Sequence, residues 1–198
     1  MTESRLFKAL RQVFADLVAL EARFALVGGL AVSVRAEPRF TRDVDLAVAV
    51  SDDRQAEALV AALRAAGYSI LALVEQEKTS RLATVRLSQP ADSGAGVVVD
   101  LLFASSGIEQ EIVAAAETMT LIDGLDLPVA TTAHLIATKV LAADEQRLQD
   151  RIDLAALVSE AQKADLADAS VALALITDRG FHRGKDLARE LREFLDGC

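Results

Sequence analysis

Two aspartates one residue apart are the residues of this chain best placed to bind a metal ion. Asp43 and Asp45 lie in the segment Arg39-Phe-Thr-Arg-Asp-Val-Asp-Leu46, and the apolar residues that follow predict a strand. Side chains at positions i and i+2 of a strand lie on the same face, so the two carboxylates project together. Mg²⁺ is commonly held by one or two carboxylates together with substrate phosphates. The pair therefore predicts a magnesium site.

A third aspartate interrupts an apolar run. Asp100 stands within Val97-Val-Val-Asp-Leu-Leu-Phe103, a pattern typical of a strand that is buried on both faces. Burying an unpaired carboxylate costs several kcal/mol, so Asp100 must face a cation, a metal or a solvated cleft. The plain alternative is an acid that faces water from an edge strand.

A pair of glycines precedes the acids. Gly28 and Gly29 follow a short predicted strand, 24–27, and stand at the start of an apparent helix. Because they have no side chains, backbone N–H groups at the helix N-terminus can approach a phosphate there. Alone, such a pair indicates only a tight turn between a strand and a helix. Followed by Asp-x-Asp, it makes a metal–triphosphate site the leading hypothesis.

Polar residues close to these motifs are candidates for binding the nucleotide. Arg39 and Arg42 could hold phosphates through charge-assisted hydrogen bonds, and Thr41 could orient the loop. Ser33 is a candidate for a further hydrogen bond to phosphate, although a solvated helix face explains it equally well. Together with Arg35, these arginines predict a basic mouth beside the acids, unless they belong to a solvated loop.

Composition limits the classes of function. The chain has 198 residues, of which 52% are hydrophobic and 26% charged, which suits one compact domain or two small ones. Its net charge of −9 argues against a surface that coats nucleic acid, but permits a local basic pocket. The single Cys198, the lack of a signal-peptide pattern and the lack of a long apolar run predict a soluble cytoplasmic protein with no membrane partner. The isolated His134 and His182 do not indicate zinc. His182 lies in a basic turn, 179–185, that could contact an acceptor but is explained by a plain loop between helices.

Periodicity predicts an α+β fold. Residues 1–129 predict a mixed β-sheet flanked by helices, and residues 130–198 a C-terminal helical bundle, with the domain boundary near 129. The predicted strands are 24–27, 44–50, 69–74, 82–88 and 96–103, with two short edge strands within 119–128 and a hairpin turn at 89–96. The predicted helices are 3–21, 31–37, 54–66, 108–117, 132–147, 149–162, 165–177 and 185–196.

These motifs resemble a known superfamily. The glycine pair, the segment Arg39-x-Thr-x-Asp-x-Asp45 and the later Asp100 resemble the polymerase-β-type nucleotidyltransferases. A second cluster narrows the resemblance to the AbiEii/AbiGii toxin group. That cluster is Leu135-Ile-Ala-Thr-Lys139 followed by Arg147, Asp150 and Asp153.

The resemblance implies roles for individual residues. Asp43, Asp45 and Asp100 would be catalytic residues and ligands of Mg²⁺, with Asp100 in a base-like role near the attacking hydroxyl. Lys139 would contact a nucleotide phosphate. The resemblance also implies that residues 1–129 form a nucleotidyltransferase-like catalytic domain.

The plain alternative for the second cluster is an exposed charged helix, in which Asp150 pairs with Arg147 and Arg151. Asp153 could instead cap the helix or pair with Lys139.

The implied activity is the Mg²⁺-dependent transfer of a nucleoside monophosphate from an NTP to a hydroxyl acceptor, with release of pyrophosphate. Two metal ions would activate the hydroxyl and neutralise the leaving group. The acceptor could be a tRNA 3′ end, a protein side chain or a small molecule such as an aminoglycoside, and a cognate antitoxin protein is an expected partner. The alternatives are a catalytically inactive nucleotide- or partner-binding protein of the same fold and a purely structural module.

Overall fold

A computed structural model describes residues 4–76, 80–90, 96–122, 124–144 and 147–197. The strands are β1 (Phe24–Val27), β2 (Asp43–Val48), β3 (Ser69–Glu75), β4 (Leu82–Ser88), β5 (Val98–Leu102), β6 (Glu117–Ile122) and β7 (Leu125–Val129). The helices are α1 (Arg5–Ala19), α2 (Gly28–Arg35), α3 (Asp53–Ala65), α4 (Glu109–Ala115), α5 (Thr132–Ala142), α6 (Leu148–Glu160), α7 (Lys163–Asp178) and α8 (Leu187–Asp196).

The strands form one mixed seven-stranded sheet in the order β3-β4-β5-β2-β1-β7-β6. The central strand β2 runs parallel to β5 and antiparallel to β1. The predicted mixed sheet with flanking helices is confirmed. The prediction of two edge strands near residues 119–128 is wrong for β7, because β7 pairs in parallel with β1 and only β6 lies at that edge.

The antiparallel pairing of β4 with β5 agrees with the predicted hairpin connection. Residues 91–95 of its predicted turn lie outside the described residues. At the start of α3, the side chain of Asp52 accepts a hydrogen bond from the N–H of Gln55 at 2.9 Å, as the capping pattern predicts. Helix α2 begins at Gly28 rather than at residue 31, so the glycine pair forms its first turn.

The break between α5 and α6 differs from the prediction. Helix α5 ends at Ala142, five residues before the predicted end at 147, because Ala143 adopts an extended conformation. The N–H of Ala143 donates to the carbonyl of Lys139 at 2.8 Å and closes the last turn. The chain can then reverse, so that α6 packs against α5.

The buried apolar residues of the sheet and of the C-terminal helices belong to one continuous core. The fully buried side chains include Leu26 and Leu46 of the sheet and Leu135, Ile136 and Leu157 of the helices. The domain boundary near 129 therefore stays a prediction. Among the described helices, none is both long and apolar enough to span a membrane.

Candidate active site

The sheet brings the three predicted aspartates together. In the parallel pair of β2 and β5, Asp45 lies opposite Asp100, and Asp43 lies two residues before Asp45 on the same face. Burial, the negative charge of Asp100 and, to a lesser extent, that of Asp43 raise the pKa of Asp45 to about 6, while Lys139 acts in the opposite direction. The raised pKa shows that Asp45 is buried close to the carboxylates of Asp43 and Asp100. A cation bound between them would relieve their repulsion.

The glycine pair packs directly against these acids. Gly28 has a φ of +62°, and a Cβ at this position would overlap Oδ2 of Asp45. A Cβ at Gly29 would lie 2.5 Å from Nη2 of Arg39 and 2.9 Å from Oγ1 of Thr41. The sequence analysis explained the two glycines by the approach of a phosphate to the backbone. The structure adds a second reason, which is the close approach of the site's own side chains.

Asp100 is paired with a residue that the sequence analysis did not single out. Arg86 lies opposite Asp100 in the antiparallel pair of β4 and β5. It donates two hydrogen bonds to the carboxylate, from Nε to Oδ1 at 2.8 Å and from Nη2 to Oδ2 at 2.6 Å. Arg86 is thus the cation that the buried acid requires. The available signal was an arginine within the strand pattern of 82–88, just across a predicted hairpin from Asp100.

The carboxylate of Asp153 holds two of the three cations that were predicted to bind phosphate. Asp153 is 1% exposed, and its oxygens lie 2.8 Å from Nε of Arg39 and 2.7 Å from Nζ of Lys139. Lys139 also donates to Asp150 at 2.7 Å. Although burial acts to raise it, hydrogen bonds from Lys139 and Gln149 and the nearby positive charges hold the pKa of Asp153 below its ordinary value. The pairing of Asp153 with Lys139 is therefore observed, but both side chains are buried and do not lie on an exposed helix surface.

Ser33, Arg35 and Arg42 were predicted to lie at the phosphate site, but the structure gives each of them a contact within the protein. The hydroxyl of Ser33 donates to the carbonyl of Gly29 at 3.0 Å and accepts from the N–H of Arg39 at 3.2 Å, so it holds the loop. Arg35 does not belong to the predicted mouth, because it donates to the carbonyl of Ala130 and to Glu117.

Arg42 is exposed, and its guanidinium lies 5.5 Å from the ring centroid of Phe40. It does not line the cavity beside the glycine pair.

Most of the predicted site residues line that cavity, which has a volume of about 400 Å³, within the range of small-molecule sites. They are Gly28, Gly29, Arg39, Thr41, Asp43, Asp45 and Lys139. Its other polar lining residues are Ser105, Ser106, Glu109 and Thr138, together with Arg147, Asp150 and Arg183 from the C-terminal helical segment. We call it the nucleotide cavity, after the role that the sequence predicts for these residues. Asp100 lines an adjoining cavity that shares Asp45 with it.

The acids fit a metal ion only in part. Among the described residues, no group of three His, Cys, Asp or Glu side chains is arranged to hold a metal. Both oxygens of Asp100 accept hydrogen bonds from Arg86. Asp43 and Asp45 remain a carboxylate pair of the kind that holds Mg²⁺ together with substrate phosphates. The donor set therefore fits an ion that arrives with a nucleotide.

Comparison with solved structures supports the fold. An antigenic nucleotidyltransferase-like protein from Paracoccidioides brasiliensis is 18% identical with a TM-score of 0.54, and the match covers 97% of this chain and 94% of that one. The antibiotic-resistance factor ANT(2″)-Ia is 15% identical in its solution structure, with a TM-score of 0.52 and coverage of 96% and 92%. These identities establish a shared fold alone. A search of curated proteins finds no match.

The family comparison covers nearly the whole chain. The family described as "Nucleotidyl transferase AbiEii toxin, Type IV TA system" matches residues 8–197, which include the acids, the glycine pair and the cluster around Lys139. The resemblance inferred from those motifs is confirmed, and the chain belongs to the AbiEii family of nucleotidyl transferase toxins.

Proposed function

We propose that this protein transfers a nucleoside monophosphate from an NTP to the 3′ hydroxyl of an RNA, with tRNA as the favoured acceptor, in a Mg²⁺-dependent reaction. The observation that carries the proposal is the register of β2 and β5, which sets Asp45 opposite Asp100 beside a helix that starts with two glycines. Family membership supports nucleotidyl transfer by a toxin. The acceptor, the metal and the roles of individual residues are our proposal.

The site residues have three roles in the proposed reaction: binding the triphosphate, holding the metal ion and accepting a proton. The backbone N–H groups of Gly28 and Gly29 face the triphosphate, because the helix N-terminus there favours negative charge. Asp43 and Asp45 would hold the metal ion, which would neutralise charge on the phosphates and lower the pKa of the attacking hydroxyl. The hydroxyl would give its proton to the carboxylate of Asp100, its oxygen would bond to the α-phosphorus, and the bond from that phosphorus to pyrophosphate would break.

The cations of the site must change partners in this scheme. Lys139 and Arg39 line the nucleotide cavity, and both are held by ion pairs with Asp153. The phosphates of a bound NTP would compete with that carboxylate for both side chains. The ion pairs with Asp153 then keep the two cations in place until a nucleotide binds.

RNA is favoured over the other acceptors for two reasons. A toxin needs an acceptor whose modification stops growth, and a tRNA 3′ end meets this condition. The arginines at the cavity, Arg147 and Arg183, favour a phosphate-bearing acceptor over a polycationic antibiotic. We further propose that the protein acts in the cytoplasm, where tRNA is found, and that a cognate antitoxin opposes it, as the family description implies.

A second candidate function is nucleotide binding without turnover. Arg86 occupies both oxygens of Asp100, and the cations that would bind phosphate are paired with Asp153. A protein fixed in this arrangement would bind a nucleotide and transfer nothing. The presence of all three acids argues against this candidate.

One experiment separates these functions. The purified protein is incubated with each labelled NTP and total cellular RNA, with Mg²⁺ or with EDTA, and both pyrophosphate and labelled RNA are measured. We expect Mg²⁺-dependent labelling of RNA by the wild type and none by Asp45→Asn. Label on protein or on a small molecule would overturn the RNA acceptor, and the absence of pyrophosphate with every acceptor class would favour the binding protein.

A further inference from the structure

A second cavity, with a volume of about 770 Å³, adjoins the nucleotide cavity on the side of Asp100. Asp45 and Asp100 form part of its lining from the sheet, and Arg147, Phe181 and Arg183 line it from the C-terminal helices. Asp45 and Arg183 line both cavities. A molecule in the second cavity would therefore contact a nucleotide in the first cavity beside Asp45. We call the second cavity the acceptor cavity.

The turn between α7 and α8 carries Arg183 into this place and is firmly anchored. Phe181 is buried against Gly107, where an added Cβ would lie 2.5 Å from its ring. The ammonium of Lys185 donates to the carbonyl of Ala143 at the end of α5. Arg183 itself has a φ of +52°, a left-handed conformation that is uncommon for residues other than glycine. Strain of this kind persists only where the surroundings enforce it, and it is concentrated at functional sites.

The guanidinium of Arg183 lacks a carboxylate partner within ion-pair distance in the part of the chain that the structure describes. Burial and the positive charge of Arg147 lower the pKa of Arg183, and the negative charge of Glu109 acts in the opposite direction. Arg147 is itself only loosely paired, at 3.9 Å from Asp144 and 3.8 Å from Asp150. Two cations thus face one another at the cavity, where an anion would relieve their repulsion.

We propose that Arg183 and Arg147 bind a backbone phosphate of the acceptor RNA within the acceptor cavity. This proposal rests on the proposed function. Guanidinium groups bind phosphate through paired hydrogen bonds, and Nη2 of Arg183 already donates to the carbonyl of Ser105 at 3.2 Å, beside the cavity. In the last nucleotide of an RNA, the 5′ phosphate and the 3′ hydroxyl belong to the same sugar. Placing that hydroxyl beside Asp45 and Asp100 therefore brings its phosphate close to the arginines.

The test compares Arg183→Gly with Arg183→Lys and with Arg54→Ala. Glycine removes the side chain and suits the left-handed backbone, so the variant should fold. Arg54 is exposed on α3, outside both cavities, and its loss changes the net charge equally. The probe is a fluorescent hairpin RNA with a single-stranded 3′ end, and its binding is measured by anisotropy without NTP. Binding of a fluorescent NTP analogue is measured separately.

We expect Arg183→Gly to weaken RNA binding about tenfold and to weaken binding of the NTP analogue clearly less, because Arg39 and Lys139 also line the nucleotide cavity. Arg183→Lys should fall in between, because lysine keeps the charge but not the paired hydrogen bonds. Arg54→Ala should behave like the wild type. Equal RNA affinity for Arg183→Gly and wild type, or no binding of the hairpin by the wild type, would overturn the phosphate site. If the wild type binds RNA but never labels it, the proposed reaction fails while the comparison of variants still decides the site.

Discussion

At the scale of single residues, Asp45 combines a proposed catalytic role with a cost in stability. Its pKa is raised to about 6, so the folded protein holds this proton more tightly than the unfolded chain does. The stability of the metal-free protein therefore falls as the pH rises from about 4, the ordinary pKa of an aspartate, to about 6, and stays reduced above that.

We expect Asp45→Asn to abolish transfer and to stabilise the metal-free protein by about 1–3 kcal/mol at neutral pH, because the amide carries no charge. The gain should shrink as the pH falls below about 6. Urea unfolding across this pH range in EDTA measures it. A variant that loses stability at neutral pH and keeps its activity would show that Asp45 is structural.

Arg86 is the second residue whose effect can be predicted. Arg86→Ala would leave the buried carboxylate of Asp100 without its partner, and we expect a loss of about 1–3 kcal/mol in the free energy of unfolding. The double variant Arg86→Ala/Asp100→Asn should recover part of that loss, since it removes the unpaired charge. If the double variant is as unstable as the sum of the single ones, the ion pair is not what stabilises this part of the sheet.

At the scale of elements, the start of α2 is fitted to the strand beside it. Gly28→Ala would force a Cβ into the carboxylate of Asp45 and also strain the backbone, so we expect strong loss of NTP binding and transfer. Gly124→Ala is the matched control. Gly124 has a φ of +71° with nothing within 4 Å of an added Cβ, so this variant carries the strain without the clash.

Equal losses of activity in the two variants would mean that backbone strain, rather than contact with Asp45, explains the glycine. Nucleotide binding by isothermal titration and transfer assays give both readouts. Thermal unfolding of each variant establishes that it is folded at the assay temperature.

Asp153 joins three elements, because α6 meets α5 and the loop before β2 at this carboxylate. Removing one partner from a buried charge network leaves the other charges uncompensated, so Asp153→Ala should cost about 3–5 kcal/mol at neutral pH. Because the pKa of Asp153 is lowered, its contribution is present above about pH 4 and is lost as the pH falls below that value. Asp150→Ala, at a more exposed position, should cost less in the same urea titration. Equal costs would mean that burial does not set the strength of this network.

At the scale of the whole molecule, a net charge of −9 surrounds a site that must attract phosphates. An acidic body repels RNA at long range, so binding must depend on the few cations at the cavities. If RNA is the acceptor, transfer should fall steeply as salt rises, because phosphate contacts release counterions.

The measurement is the ratio kcat/KM for the RNA acceptor across a salt series. The plot of log kcat/KM against log salt concentration should have a negative slope. Arg183→Gly should make that slope shallower by about one, and Arg54→Ala should leave it unchanged. Salt-insensitive transfer onto a protein or a small hydroxylated compound would contradict an RNA acceptor and leave nucleotidyl transfer itself intact.

Local patterns in the sequence determined the parts of this protein that depend on near neighbours in the chain. Alternation along a strand set Asp43 and Asp45 on one face, and an apolar run marked Asp100 as a buried acid. The capping aspartate before α3 and the α+β class follow from short-range chemistry in the same way. The family motifs are short segments too, so they could be recognised in the sequence. The catalytic assignment of the three acids stays a prediction.

The tertiary structure alone decided which charges meet. Arg39 lies 114 residues before Asp153, and Arg35 lies 95 residues before the carbonyl that it binds. Even Arg86 and Asp100, only 14 residues apart, meet through the register of a hairpin. A local sequence pattern specifies the face of the strand or helix on which a side chain lies, but not the residue that it contacts. Strand pairing and helix packing choose that partner, because they are set by how the whole core closes.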